Sequence, residues 1–183
     1  MTDETRCPLS GLTGDWRGDR GMDIAPEPDG SENSPYYETV TFSDLDDVTN
    51  AESQTLYFVH YHLVVMRKSN DEIFHNQTGY WIWDAADGTV MHSFMIPRSV
   101  GLIAAGACVR IGDDLVFDVS ATLGDEDWGV VQSPFMRDNA STREFRQKMT
   151  LSGDTLSYAQ TTLVDIYGKT FDHTDENTLT RLA

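Results

Sequence analysis

Five histidines, two cysteines and a set of carboxylates carry the chemical potential of this 183-residue chain. His173 stands near the C-terminus in Phe171-Asp172-His173-Thr174-Asp175-Glu176. A neutral imidazole is a good ligand for iron. The acidic neighbours admit a second reading, a surface histidine in a polar loop. His60-Tyr61-His62 places two imidazoles two residues apart, hence on one face of a strand, where both could meet one metal ion. Such a site needs further ligands, and His75 or His92 are the available imidazoles. The alternative is that His60 and His62 lie on an outer wall with Phe58, Val64 and Met66. Cys108, between Ala107 and Val109, has no nearby base or cation to activate it and reads as core. Asp46-Asp47, Asp113-Asp114 and Asp125-Glu126-Asp127 read as solvated turns and lack the spacing of an EF-hand loop. No phosphate loop, dinucleotide-binding glycine pattern, Gly-x-Ser-x-Gly elbow or His-Glu-x-x-His pattern occurs.

The elements that must position these residues are strands. Tyr36-Tyr37-Glu38-Thr39-Val40-Thr41-Phe42 alternates, with Tyr36, Glu38, Val40 and Phe42 on one face. Thr55–Met66, Ile73–Trp83, Thr89–Ile96, Gly101–Arg110, Leu115–Thr122, Arg143–Leu151, Thr155–Leu163 and Thr178–Leu182 continue the series. Trp128–Met136 reads as a weaker strand, an edge or bulge because of Pro134, and is the first place to seek a homodimer contact. Residues 23–35, with three prolines and several acids, read as a loop, and so do residues 43–52. Residues 1–10 read as a flexible tail ahead of one domain over 11–183, with Pro8 able to start a short turn that plugs a barrel end. About ten strands with short connections predict an all-β, antiparallel, up-and-down barrel that closes on itself.

Charge and composition narrow the partners. Thirteen Lys+Arg against thirty Asp+Glu give a net charge of −17, which disfavours nucleic acid and anionic membranes. No apolar run approaches the ~20 residues that span a bilayer. The first residues have neither a basic head nor an apolar stretch, and two cysteines make no disulfide framework, so a cytoplasmic setting is expected. The strands are rich in aromatics (Tyr57, Phe58, Tyr61, Tyr80, Trp81, Trp83, Phe94, Phe117, Tyr158). These suit either a packed core or the wall of a cavity for a small hydrophobic ligand.

Gly14-Asp15-Trp16-Arg17-Gly18 opens the barrel series, and Arg181 stands in its last strand. This pairing resembles the signature of the calycin barrels, in which the tryptophan packs under the arginine and closes one end. More narrowly, the chain resembles the nitrobindin family of fatty-acid-binding-protein-like heme-binding barrels. Gly14-x-Trp16-x-Gly18 is similar to the start of its GxWxGxG motif, and Tyr36-x-Glu38-x-Val40-x-Phe42 to its second strand. Tyr61, His75-x-Gln77-x-Gly79-Tyr80, Gly88-x-Val90, Pro97, Gly106, Leu156-x-Tyr158 and Phe171-Asp172-His173 follow in register.

The resemblance implies barrel closure by Gly14, Trp16, Gly18 and Arg181, and heme b held by His173 as axial ligand of ferric iron. It also implies nitric oxide binding or heme-dependent isomerisation of peroxynitrite to nitrate. Three departures surround the pocket. The third motif glycine is Arg20, the family's Tyr-Pro-Thr-Ile segment is replaced by Asp23-Ile24-Ala25-Pro26-Glu27-Pro28, and the run after His173 is more polar. They favour the other expectation, a non-enzymatic carrier of another apolar ligand without heme.

Overall fold

The computed structural model describes residues 7–183. Its strands are β1 (Gly14–Glu27), β2 (Gly30–Phe42), β3 (Asp46–Ala51), β4 (Gln54–Arg67), β5 (Ile73–Asp84) and β6 (Thr89–Ile96). They continue with β7 (Val100–Ile111), β8 (Asp114–Thr122), β9 (Val130–Gln132), β10 (Ala140–Ser152), β11 (Thr155–Ile166) and β12 (Lys169–Arg181). The order around the wall is β2-β1-β12-β11-β10-β8-β7-β6-β5-β4, and β4 pairs with β2 to complete the circle. This is a closed ten-stranded antiparallel barrel, with β3 added to β4 and β9 to β7 outside it. Closure leaves no unpaired edge in the wall.

The alternation in β2 sets its register. Tyr36, Glu38, Val40 and Phe42 all turn inward and are buried. The core joins them to Trp16, Val59, Tyr61, Trp81, Val90, Phe117, Phe145 and Leu179. Phe58 and Tyr80 face the other way, in edge-to-face contact at 5.6 Å with Tyr80 exposed. Only part of the aromatic set therefore lines the interior.

Four expectations need correction. Residues 23–35 are no loop: β1 and β2 run through them as a hairpin, with Pro26 opposite Ser31 and Met22 opposite Pro35. The hairpin extends past the wall, since β1 meets β12 only as far as Ile24 and β2 meets β4 only from Tyr36. An edge tolerates proline because one side of each strand needs no N–H donor. The stretch 43–52 contains β3. The strand expected over Trp128–Met136 shrinks to Val130–Gln132, and α1 (Pro134–Asn139) follows. Ser133 caps that helix by accepting from Met136 N, with Pro134 in its first turn, where a missing N–H costs nothing. His173 lies inside β12, not in a polar loop.

Of the expected tail, residues 1–6 lie outside the described residues, whereas Cys7 and Leu9 are buried. Pro8–Gly11 forms a tight 3-10 turn, and Leu9 and Leu12 are fully buried beneath it.

Candidate functional site

Strand β12 supplies the site with a row of alternating inward residues, His173, Asp175, Asn177 and Leu179. Pairing with β1 sets Asp23 directly across from Asp175, so His173 is its diagonal neighbour. His173 Nε2 lies 2.6 Å from Asp23 Oδ1, with the histidine half-buried and the aspartate buried. Burial pulls the His173 pKa down, but the hydrogen bond to Asp23 and the charges of Asp23 and Asp175 outweigh it and hold the pKa above the usual value.

These side chains line a cavity of about 550 Å³ inside the barrel. Phe94, Ile96, Val100, Leu102, Phe145 and Val164 give it an apolar wall, and Phe135, Met136 and Asn139 of α1 stand at one side. Arg67 and Arg98 also reach it. So does His75, whose pKa is lowered chiefly by burial, partly offset by its contact with Gln77. A larger depression, about 910 Å³, lies outside the barrel against β6, β7 and β9. It is lined by outward side chains such as Tyr80, Met95, Ile103 and Val131, and it gathers none of the buried polar groups found inside.

Beneath the cavity two polar sets cross the interior. In the first, Glu38 Oε2 accepts from Asn177 Nδ2 at 2.7 Å and lies 2.9 Å from the Tyr158 hydroxyl. That hydroxyl is 2.8 Å from the Tyr36 hydroxyl, which in turn contacts Asp175. Burial pushes the Glu38 carboxyl up to about 7 and the Asp175 carboxyl up to about 6. Gly18 makes room for this set: a Cβ there would sit 2.5 Å from Asn177 Nδ2.

In the second set, Gln77 contacts the Tyr61 hydroxyl, which lies 2.7 Å from His92 Nε2. The other ring nitrogen of His92, Nδ1, is buried without a hydrogen-bond partner among the described residues. Its ring stacks on Trp81 at 4.2 Å. Burial drives its pKa down to about 3, so it is a neutral core histidine.

The other expected residues lie elsewhere. Trp16 is fully buried at the opposite end, its Nε1 donating to Leu12 O at 2.7 Å. The Arg181 guanidinium lies 4.1 Å from the indole centroid and donates to Gly11 O at 2.7 Å and to Thr13 O. Gly14 adopts φ +113°, a conformation that side chains disfavour, where the chain passes under Arg181. His60 and His62 point outward to separate partners, Thr78 at 2.8 Å and Asn76 at 3.0 Å. Among the described residues no three His, Cys, Asp or Glu side chains are grouped to hold a metal ion. Cys108 is partly buried, and burial raises its thiol to about 11.

Asp23, Asp175, Arg67, Arg98 and α1 were not singled out from the sequence. One signal was visible for Glu38, a carboxylate on an otherwise apolar alternating face.

Comparison with known proteins follows the same lines. A solved structure, the crystal structure of Rv2717c from M. tuberculosis, superposes with a TM-score of 0.71 at 20% identity, covering 100% of this chain and 99% of that one. The likeness shows the fold. No curated protein matches the sequence. A family model described as "THAP4-like, heme-binding beta-barrel domain" matches residues 6–181. The chain belongs to this family of heme-binding β-barrel domains.

Proposed function

We propose that the cavity binds ferric heme b, with His173 as the axial ligand. The observation that carries this reading is an imidazole on the inner face of β12, lining a cavity of about 550 Å³ with an apolar wall in a chain of this family. Heme is a flat apolar ring with two carboxylates and a Lewis-acidic iron. The apolar walls suit the ring, Arg67 and Arg98 suit the carboxylates, and one imidazole suits the iron. Bound heme would supply a Lewis-acidic iron, the chemistry that nitric oxide binding or isomerisation of peroxynitrite to nitrate would need.

The residues fit with one condition. Asp23 occupies Nε2 of His173, and a histidine must be neutral to ligate. Heme ligation would require Asp23 to leave Nε2 and His173 to be neutral. Ligation weakens as pH falls below the raised His173 pKa.

Hemin titration followed by absorption tests the reading. A Soret shift is expected in the wild type and lost in His173→Ala; identical spectra would remove His173 from the site. The Asp23–His173 contact also favours a second reading, a carrier of another small apolar ligand. A fluorescent fatty acid bound by the protein, and not displaced by hemin, would support it. A homodimer contact is proposed at Trp128–Met136, where Val131 and Phe135 are exposed. The proposed setting is the cytoplasm. Among the described residues no helix is long and apolar enough to cross a membrane.

A further inference from the structure

The outer wall of an antiparallel barrel faces water, and its outward positions are expected to be polar. Four neighbouring strands break that rule at one place. Tyr80 of β5, Met95 of β6, Ile103 of β7 and Val131 of β9 all point outward and are exposed. The register sets small residues between them. Ser93 stands opposite both Tyr80 and Ile103, and Gly101 stands opposite both Met95 and Val131. Large and small residues alternate across the strands, and the small ones leave a hollow. It is the outer depression of about 910 Å³. A Cβ at Gly101 would lie 3.1 Å from Met95 Cγ, so glycine keeps that part of the floor open.

The loop between β8 and β9 forms one side of the hollow and brings Asp125, Glu126 and Asp127 to it. Asp125 Oδ1 accepts from the backbone N–H groups of Asp127 and Trp128, both at 2.9 Å, which fixes the loop. No lysine or arginine lines the hollow, and none of the ion pairs among the described residues involves these three carboxylates. One exposed face thus joins an apolar floor to an uncompensated negative rim. Val131 also belongs to the homodimer contact proposed above, so a second copy is the competing occupant. Phe135 of that contact lies apart from the hollow, at the inner cavity. Charge disfavours a second copy on this face, because it carries a net charge of −17 itself and like charge would meet the rim.

We infer that this outer face docks a basic amphipathic peptide segment of a partner protein, with apolar side chains in the hollow and lysine or arginine on the Asp125–Asp127 rim. The dimensions suit a short stretch of chain. Tyr80 and Val131 stand three strand spacings apart, about 14 Å at ~4.8 Å each. That is the length of about four extended residues, enough to set two alternate side chains against the floor. The apolar side chains cover surface that water now meets, and the cation answers carboxylates that have no partner. The docking does not depend on what fills the inner cavity.

Titration with an acetylated and amidated peptide, Lys-Lys-Leu-Ser-Leu-Lys-Lys, tests the proposal. It is followed by NMR of the methionine methyl groups at about 0.1 M salt. A saturable shift of the Met95 methyl is expected, with the buried Met149 unmoved. Replacing the leucines of the peptide by serine, or its lysines by glutamate, should weaken binding at least about tenfold. Ser93→Trp fills the hollow without changing the charge and should weaken binding about tenfold as well. Asp127→Asn should lessen the salt dependence. Should Ser93→Trp fail to fold, the Met95 shift and the two control peptides decide in the wild type. No saturable binding, or binding that leaves Met95 unmoved, overturns the proposal. So does binding retained by either control peptide or by folded Ser93→Trp. A dimer that Met95→Asp dissociates, in a protein that does not bind the peptide, gives the face to a second copy and also overturns it.

Discussion

The same two strands, β1 and β12, meet at both ends of the barrel, and they make opposite kinds of contact there. At one end Trp16 pairs with Arg181, and the guanidinium lies 4.1 Å from the indole centroid while donating to two backbone carbonyls. At the other, Asp23 holds His173 at 2.6 Å beside a cavity. An arginine keeps its charge at any pH a protein survives, so the first contact has a single state. A histidine gains or loses its charge near neutrality, so the second has two. One end is built to hold and the other to change, on a shared pair of strands.

The largest expected effect breaks the holding end. Trp16 is fully buried, and its N–H is matched to Leu12 O. Trp16→Ala removes the indole from under Arg181 and leaves a cavity, costing ~3–5 kcal/mol. Urea or thermal unfolding measures the loss, and an unchanged midpoint would contradict a structural role for this end. An arginine–indole contact has no charge state to lose over this range, so the loss should be nearly constant from mild acid to mild alkali.

The changing end should behave otherwise. His173 has a folded-state pKa above its usual 6.5. Its pairing therefore stabilises the fold fully below the unfolded value, and that stability is lost as pH rises through the folded value. Asp23→Asn removes the main source of the upward shift. In the variant, the part of the stability–pH curve that falls around and above neutrality should flatten. Heme affinity should rise, because Nε2 no longer competes with a carboxylate, and the gain should grow as pH drops. Thermal unfolding across pH, together with hemin titration at two pH values, checks both statements. An affinity that falls in Asp23→Asn would mean that the carboxylate assists the ligand.

The two ends also differ in how far the sequence disclosed them. The barrel frame is written locally, in alternation such as Tyr36-x-Glu38-x-Val40-x-Phe42 and in turns such as Ser152-Gly153-Asp154. Trp16 and Arg181 stood out because Gly14-x-Trp16 in the first strand with an arginine in the last resembles the calycin signature. The open end is assembled from residues whose meaning depends on partners far along the chain. Tyr36 and Asp175 are 139 residues apart and meet only because β1 lies between β2 and β12. Asp23 sits among prolines and acids that lower local strand propensity, and pairing overrides that propensity. The histidines show the same limit. His92 and His173 are both inward-facing imidazoles, yet the pKa of one is driven down in the core and that of the other is held above its usual value at the cavity. Only their neighbours, Tyr61 and Trp81 against Asp23 and Asp175, distinguish them.

The smallest expected effect lies at the open end alone and tests how independent it is. Helix α1 has only six residues and contributes Phe135 and Met136 to the cavity lining. Its start depends on the Ser133 hydroxyl, which accepts from Met136 N at 3.3 Å, and on Pro134. Ser133→Ala removes that acceptor and should cost about 0.5–1 kcal/mol, the lower part of the range for a lost cap. The helix packs on β10 and holds no part of the Trp16–Arg181 contact, so the cost should appear as local fraying. Amide hydrogen exchange should quicken over Pro134–Asn139 while Trp16 and its neighbours stay protected. Faster exchange at both ends would show that the cavity mouth and the closed end unfold as one unit, and would dissolve the distinction between a holding end and a changing one.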